Sequence, residues 1–301
     1  MRILHVDTGV QMRGGQRQVL LLMDSLRHAH HKCVLLARKD RPLWQAAIAA
    51  GFETHPAGLT ALWRHSIQAD IVHVHDARAH TLAAIGSRQR FVVSRRVAFP
   101  IGRSVLSRWK YRRAGRYLAV SRFVARQLIE AGISESRIDV VYDAVMPGDA
   151  SGDWRPQYPA VGLASADPQK GRDLLVQAAD LAKIDLVLSE DLVHDLRRAS
   201  MFVYLTRSEG LGSAALLAMS MGVPVIASRV GGLPEIVENG VSGLLVENDP
   251  GEVAAAMRHL FEDHNLTRRL IQNATENVRA HFSENNLVTA TLASYRRALA
   301  H

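Results

Sequence analysis

Cysteine is nearly absent from this chain of 301 residues, Cys33 being the only one. That excludes an internal disulfide and any zinc site built on several thiolates, and it fits a reducing compartment. No apolar stretch approaches membrane-spanning length, so no transmembrane helix is expected. Low-complexity tracts are missing, and with 48% of residues apolar the chain is expected to be globular and long enough for two domains. Nothing like a signal peptide precedes the strand-like Arg2-Ile3-Leu4-His5-Val6, so a cytoplasmic location is expected.

One long stretch lacks acid. Between Ala77 and Ile129 there is no Asp or Glu, while Arg and Lys recur from Arg78 to Arg126, within a chain whose net charge is +8. Phe99, Ile101, Val105, Leu106, Trp109 and Tyr111 are interleaved with them. A solvated basic face and nucleic-acid binding are the simplest accounts of such a charge run. The apolar component instead favours docking on an anionic membrane surface or gripping a phosphate-bearing acceptor, and nucleic acid is not expected as a partner. Arg95, Arg96, Arg108, Lys110, Arg112 and Arg113 are the candidate acceptor or membrane residues.

What is present is an alternation of strand-like and helix-like runs, the pattern of parallel α/β sheets. Strands are expected at Ile3 to Val6, Cys33 to Leu36, Ile71 to Val74, Phe91 to Ser94, Tyr117 to Val120 and Ile138 to Val141. The alternation stops in the Pro-, Gly- and Asp-rich MPGDASGDWRPQYP, then resumes at Val161. The expected organisation is an N-terminal Rossmann-like domain over 1–147, a linker over 148–160 and a second Rossmann-like domain over 161–282. In the last helix, 283–301, Val288, Leu292, Tyr295 and Leu299 share a stripe. Asp249-Pro250-Gly251-Glu252 reads as a helix start with a capping box.

The most informative run is Phe202 to Asp249. The strand FVYL leads into Glu209-Gly210-Leu211-Gly212 and a helix from about Ser213, and the strand PVIAS leads into Gly231-Gly232 and a second helix start at Leu233-Pro234-Glu235. Twice a strand delivers a glycine turn to a helix N-terminus, where unpaired N–H groups and the helix dipole suit an anion. Each turn is also explicable as a tight connection. Side by side at the carboxyl edge of a parallel sheet they form a crevice for a phosphorylated ligand.

This segment resembles the donor-binding half of glycosyltransferase family 4, retaining enzymes that use nucleotide-sugars. The resemblance rests on Glu209, Gly210, Gly212, the GVPVIAS stretch from Gly222, Gly231, Gly232 and Glu235. It implies an α/β fold of the GT-B type, two facing Rossmann-like domains with an interdomain cleft, the last helix crossing back to the N-domain. The resemblance implies that Lys170-Gly171 reach the donor diphosphate and that Glu209 binds the donor sugar. Backbone at Gly210, Leu211, Gly212 and Ser213, with Gly231, Gly232 and Glu235, would complete the donor pocket. Gly14-Gly15 would face the donor phosphates. In His73-Val74-His75-Asp76 the resemblance points to His75 near the transferred sugar; the residues alone also allow a structural or metal-binding role, though no third ligand is evident.

The chain departs from the family pattern in three places. Leu217 stands where a ribose-binding glutamate belongs, no arginine occurs between Gly162 and Asp167, and the stretch from Lys183 to Phe202 is short by one βα unit. The expected function is therefore a retaining, hexosyltransferase-type enzyme with a shortened donor domain, acting on a surface-polysaccharide, lipopolysaccharide or glycolipid acceptor. Its catalytic residues would be His75 and Glu209, with neither metal nor cofactor beyond the nucleotide-sugar. It would sit in the cytoplasm, peripheral to the inner membrane face. The rival is a degenerate, noncatalytic binding or partner subunit.

Overall fold

The computed structural model describes residues 1–99, 101–102, 104–146 and 154–300. The chain divides into two compact units, Met1–Ala144 with Glu284–His301, and Val145–Ser283.

The first unit opens with Arg2–Asp7 (β1), Gly14–His28 (α1), Lys32–Ala37 (β2), Pro42–Ala49 (α2), Glu53–Pro56 (β3) and Leu59–Ser66 (α3). It continues with Ile71–Val74 (β4), Ala77–Gly86 (α4), Phe91–Arg95 (β5), Val105–Arg113 (α5), Arg116–Ala119 (β6), Arg122–Glu130 (α6) and Ile138–Val140 (β7). The strands are all parallel, in the order β3-β2-β1-β4-β5-β6-β7. Order reverses between β1 and β4, which makes the carboxyl ends of those strands the switch point where doubly wound sheets place their sites. Central strands are buried on both faces, as sheets covered by helices on both sides require. The polar edge strand β3 and the helix α5 lack a clean apolar period, and neither they nor the short α3 were expected from the residues.

The final helix, Glu284–Leu299 (α12), belongs to this unit. Leu287, Val288, Tyr295 and Ala298 are buried in one cluster with Ile3, Leu22, Leu26 and Leu35, and the Glu284 carboxylate accepts from Ser25 Oγ at 2.7 Å. Its buried face differs from the expected stripe. Leu299 is exposed, and Thr291 and Ser294 are buried in its place, because the packed face follows the surface it meets and not hydropathy alone.

The second unit contains Ala160–Leu163 (β8), Arg172–Ala182 (α7), Leu186–Ser189 (β9), Leu192–Leu196 (α8), Met201–Tyr204 (β10) and Ser213–Ser220 (α9). It closes with Val225–Ser228 (β11), Leu244–Val246 (β12), Pro250–Glu262 (α10) and His264–His281 (α11). Its five parallel strands run β12-β11-β10-β8-β9. The expected linker falls partly on 147–153, outside the described residues. From Trp154 onward the chain packs on the second unit, the indole Nε1 donating to Ser200 O at 2.6 Å.

Two local expectations change. The turn at Gly231-Gly232 opens only a single 3-10 turn, Leu233–Glu235, because Ile236 and Val237 are buried into the core and the chain then turns at Glu238, whose N–H is taken by Ser242 Oγ at 2.9 Å. Asp249 caps α10 through Gly251 N and Glu252 N, but the Glu252 carboxylate accepts from Glu247 N instead of closing a capping box.

Candidate functional site

In the second unit the carboxyl edge of β10 gathers the polar groups singled out above. Lys170 Nζ lies 2.9 Å from Glu209 Oε2 and 3.0 Å from Tyr204 Oη. The Tyr204 hydroxyl donates to the same carboxylate oxygen, while Glu209 Oε1 accepts from its neighbour's N–H, Gly210, at 3.0 Å. Burial first, and then the Glu209 charge, hold the Tyr204 phenol well above its ordinary pKa, so it stays a donor. Side chains assigned to different parts of a donor are thus paired with each other. Tyr204 had no signal in the sequence, because in FVYL it reads as one more core position.

The glycines are explained by close packing of backbone on backbone. A Cβ on Gly231 would stand 2.1 Å from Glu209 O, and one on Gly232 would stand 2.1 Å from Gly210 O. The missing side chains therefore let the two turns touch each other, with Gly232 N donating to Glu209 O at 3.1 Å. That corrects the expectation of a second helix N-terminus here. Gly171 and Gly212 have positive φ, 59° and 114°, and would also clash if substituted. Gly212 precedes α9 with no side-chain cap, so no side chain at the N-cap takes the first N–H groups from Ser213. Leu211 is buried. Leu217 is only partly buried, on the side of α9. Glu235 sits in the 3-10 turn beyond.

The first unit has its own cluster at the carboxyl edge of β1, β4 and β5. His5 and His73 are register partners on β1 and β4, and His75 follows two residues on, so all three imidazoles meet with centroids 4.0 to 5.6 Å apart. His75 Nδ1 is 3.2 Å from Arg96 Nη1 and His75 Nε2 is 3.0 Å from His5 Nδ1. A guanidinium has only donors, so His75 Nδ1 accepts, its proton sits on Nε2, and that proton is donated to His5. His5 then carries its own proton on Nε2, buried without a partner. Arg96 Nε is in turn paired with Asp143 at 2.8 Å. Desolvation, reinforced by Arg96, pushes the His5 pKa down to about 3 and those of His73 and His75 well below the usual value. Burial raises that of Asp143, against the pull of Arg96.

His5 is the third imidazole that sequence reading did not find; only strand register brings it there. The trio offers ring nitrogens within 4.8 Å of one another, yet it does not suit a cation. His73 is committed to Tyr295 and Ser94 at 2.7 and 2.8 Å, both His75 nitrogens are used, and a guanidinium adjoins them. Gly14 and Gly15 are the first residues of α1, not a loop, and Gly15 faces Arg96, whose Cδ is 4.0 Å from where a Cβ would be.

The six basic candidates are not gathered into one place. Arg96 belongs to the cluster above. Arg95 bonds Tyr111 Oη at 2.9 Å, Arg108 and Lys110 lie along α5, and Arg112 and Arg113 end that helix just ahead of β6, at the opposite, amino edge of the sheet.

Residues 12–147 match the sequence model of Glycosyltransferase Family 4, and residues 185–277 match that of Glycosyl transferases group 1. Both parts of the chain thus match models of glycosyltransferases of the family 4 type. Among curated relatives, this glycosyltransferase-type chain is 37% identical over 146 residues to D-inositol 3-phosphate glycosyltransferase of Acidothermus cellulolyticus, covering 46% of this chain and 32% of that protein. The match thus spans about a third of the length of that relative. Among solved structures, HepE of Anabaena, in complex with UDP and glucose, superposes with a TM-score of 0.85 at 16% identity, over 98% of this chain and 99% of that one. The lipopolysaccharide outer core galactosyltransferase WaaB gives 0.69 at 15% identity, over 97% and 99%. These similarities establish the fold, two parallel α/β units of the kind found in GT-B glycosyltransferases. No helix among the described residues is long and apolar enough to cross a membrane.

Proposed function

We propose that this chain is a nucleotide-sugar-dependent hexosyltransferase of the retaining type, and that the second unit holds its donor. The observation that carries this reading is the Lys170–Glu209–Tyr204 cluster beside the uncapped N-terminus of α9. On donor binding the diphosphate takes Lys170, and the N–H groups from Ser213 meet phosphate oxygens. Glu209, still held by Tyr204 and Gly210, then turns its charge to sugar hydroxyls. As the bond from the anomeric carbon to the diphosphate breaks, Lys170 stabilises the departing charge. The acceptor hydroxyl bonds to that carbon on the same face and gives its proton to the leaving phosphate. The scheme uses no metal or further cofactor. His75 is assigned to hydroxyl recognition; of its two bonds, the one to neutral His5 is the weaker and the one it can exchange.

For the acceptor we propose a phosphorylated or lipid-linked molecule of the cell envelope, reached at an anionic membrane surface. Phe99, Val105, Leu106 and Trp109 are exposed by 59, 74, 77 and 44% before and along the first half of α5, close in sequence to Arg108 and Lys110. Apolar side chains rimmed by cations suit the headgroup layer.

A screen of UDP- and other nucleotide-hexoses for hydrolysis and transfer tests the proposal. Lys170→Ala should weaken nucleotide binding and transfer together, and Glu209→Gln should cut transfer while largely sparing nucleotide binding. Absence of turnover with every donor, in a protein that binds nucleotide, would favour the noncatalytic partner reading, which Leu217, the arginine-free stretch before Lys170 and the shortened donor domain motivate.

A further inference from the structure

At the amino edge of the first sheet, away from both clusters described above, one sign of charge accumulates. Strands β5, β6 and β7 begin there, and the chain at or just before each start contributes arginine. Arg90, Arg112, Arg113, Arg116, Arg137 and, from the last turn of α12, Arg297 line an open cavity of about 570 Å³.

Among the described residues only one carboxylate answers them. Asp139 receives Arg116 at 2.7 and 3.0 Å and Arg297 at 2.9 Å. Arg113 and Arg137 rest on main-chain carbonyls, Arg113 on Ala84 O at 3.2 Å and Arg137 on Arg112 O at 3.2 Å among others. Arg90 makes one long contact, 3.4 Å to Ala298 O. The carboxyl ends of α5 and α12 add about half a negative charge each, which accounts for part of this composition. Six guanidiniums against one carboxylate and two helix ends still leave a surplus of about four positive charges in one basin. Crowded like charge opposes folding unless an anion relieves it.

We propose that this basin is a separate binding site for a phosphate-rich anion, a phosphomonoester or diphosphate group carried by a free small molecule or by a lipid headgroup. Guanidinium forks meet phosphate oxygens two at a time, which ammonium groups do not. The volume falls within the range of small-molecule sites, roughly 300–1,000 Å³. Its position at the amino edge separates it from Gly15, His75 and Arg96, which lie toward the carboxyl edge of the same sheet.

The test titrates inorganic pyrophosphate into the full chain carrying Lys170→Ala, which removes the proposed donor-phosphate contact, at low and high salt. Binding should weaken with salt. It should fall about tenfold or more when Arg90→Gln and Arg112→Gln are added, with the melting temperature kept. Arg268→Gln with Arg269→Gln, on α11, is the charge-matched control and should bind as the parent does. Phosphatidylcholine vesicles with and without phosphatidic acid identify the source. Capture that needs Arg90 and Arg112 and is competed by pyrophosphate assigns a headgroup; pyrophosphate binding without capture assigns a free molecule. Absent pyrophosphate binding, unchanged affinity in the Arg90 and Arg112 variant, or an equal loss in the control overturns the proposal. None of these readouts uses sugar transfer, so the outcome is independent of the donor-site reading.

Discussion

Lowering the pH from 7.5 to 5.5 should remove much of the stability of the first unit while leaving the second nearly unaffected. His5, His73, His75 and His80 are buried and held neutral. Burial is the main cause for each; the pKa values of His5 and His80 are pushed down to about 3, and the other two well below the usual value. In the unfolded chain each titrates near its ordinary 6.5. Between the folded and unfolded values the unfolded chain binds more protons, so stability falls as pH drops through 6.5 and continues to fall toward about 3. At pH 5.5 each histidine costs about 1.4 kcal/mol, and four together about 5.5 kcal/mol, against a total of ~5–15 kcal/mol for a typical domain. Asp7 and Asp143 work in the opposite direction, because burial raises their pKa values and the folded state takes up protons as pH falls toward them. His31 and His65 add to the loss, since burial lowers their pKa values too, so the net fall is on the order of 5 kcal/mol, corresponding to roughly 10–20 °C in melting temperature for a unit of this size. Tryptophan fluorescence reports mainly on the first unit, since Trp44, Trp63 and Trp109 lie there and only Trp154 in the second. His194, His259, His264 and His281 of the second unit are all exposed, so its transition is an internal reference. His80→Gln, which can still donate to Lys110 O, should reduce the slope by about one proton. A first-unit melting temperature that is level between pH 7.5 and 5.5 would refute the reasoning.

Gly231→Ala and Gly232→Ala each drive a Cβ to 2.1 Å from a carbonyl oxygen. Each should destabilise the second unit by about 3 kcal/mol or more in a melting experiment, whereas Gly240→Ala meets nothing within 4 Å and should cost about 1 kcal/mol for its positive φ. Asp143→Ala strands the Arg96 guanidinium, only 13% exposed, and should cost about 3–5 kcal/mol, measured by urea unfolding. Leu217→Glu places a carboxylate on a partly exposed side of α9. It should leave the melting temperature nearly unchanged and, if the ribose lies there, tighten nucleotide binding by about 1–3 kcal/mol in calorimetric titration. No tightening with an intact fold would exclude that position from ribose recognition.

The residues by themselves determined the alternation of strands and helices, because parallel strands covered on both faces must be short apolar runs, and runs such as ILHV, IVHV and FVYL have no other stable use. They also located the glycine turns, since a backbone that must turn tightly at a sheet edge leaves a glycine signature that does not depend on distant partners; Lys170 and Glu209 stood out only through the family resemblance those turns carry. Tertiary structure decided everything that depends on register and approach. His5 joins His73 and His75 only because β1 pairs with β4 in one register, and Tyr204 becomes a hydrogen-bond donor to Glu209 only once β10 ends beside Lys170. Gly231 and Gly232 serve packing of one turn on another, a role invisible until the turns are adjacent. The basic run from Ala77 to Ile129 shows the difference most plainly. Composition reports its charge as one stretch, but each strand crosses the sheet from edge to edge, so Arg95 and Arg96 emerge at the carboxyl edge while Arg90, Arg112, Arg113 and Arg116 collect at the amino edge.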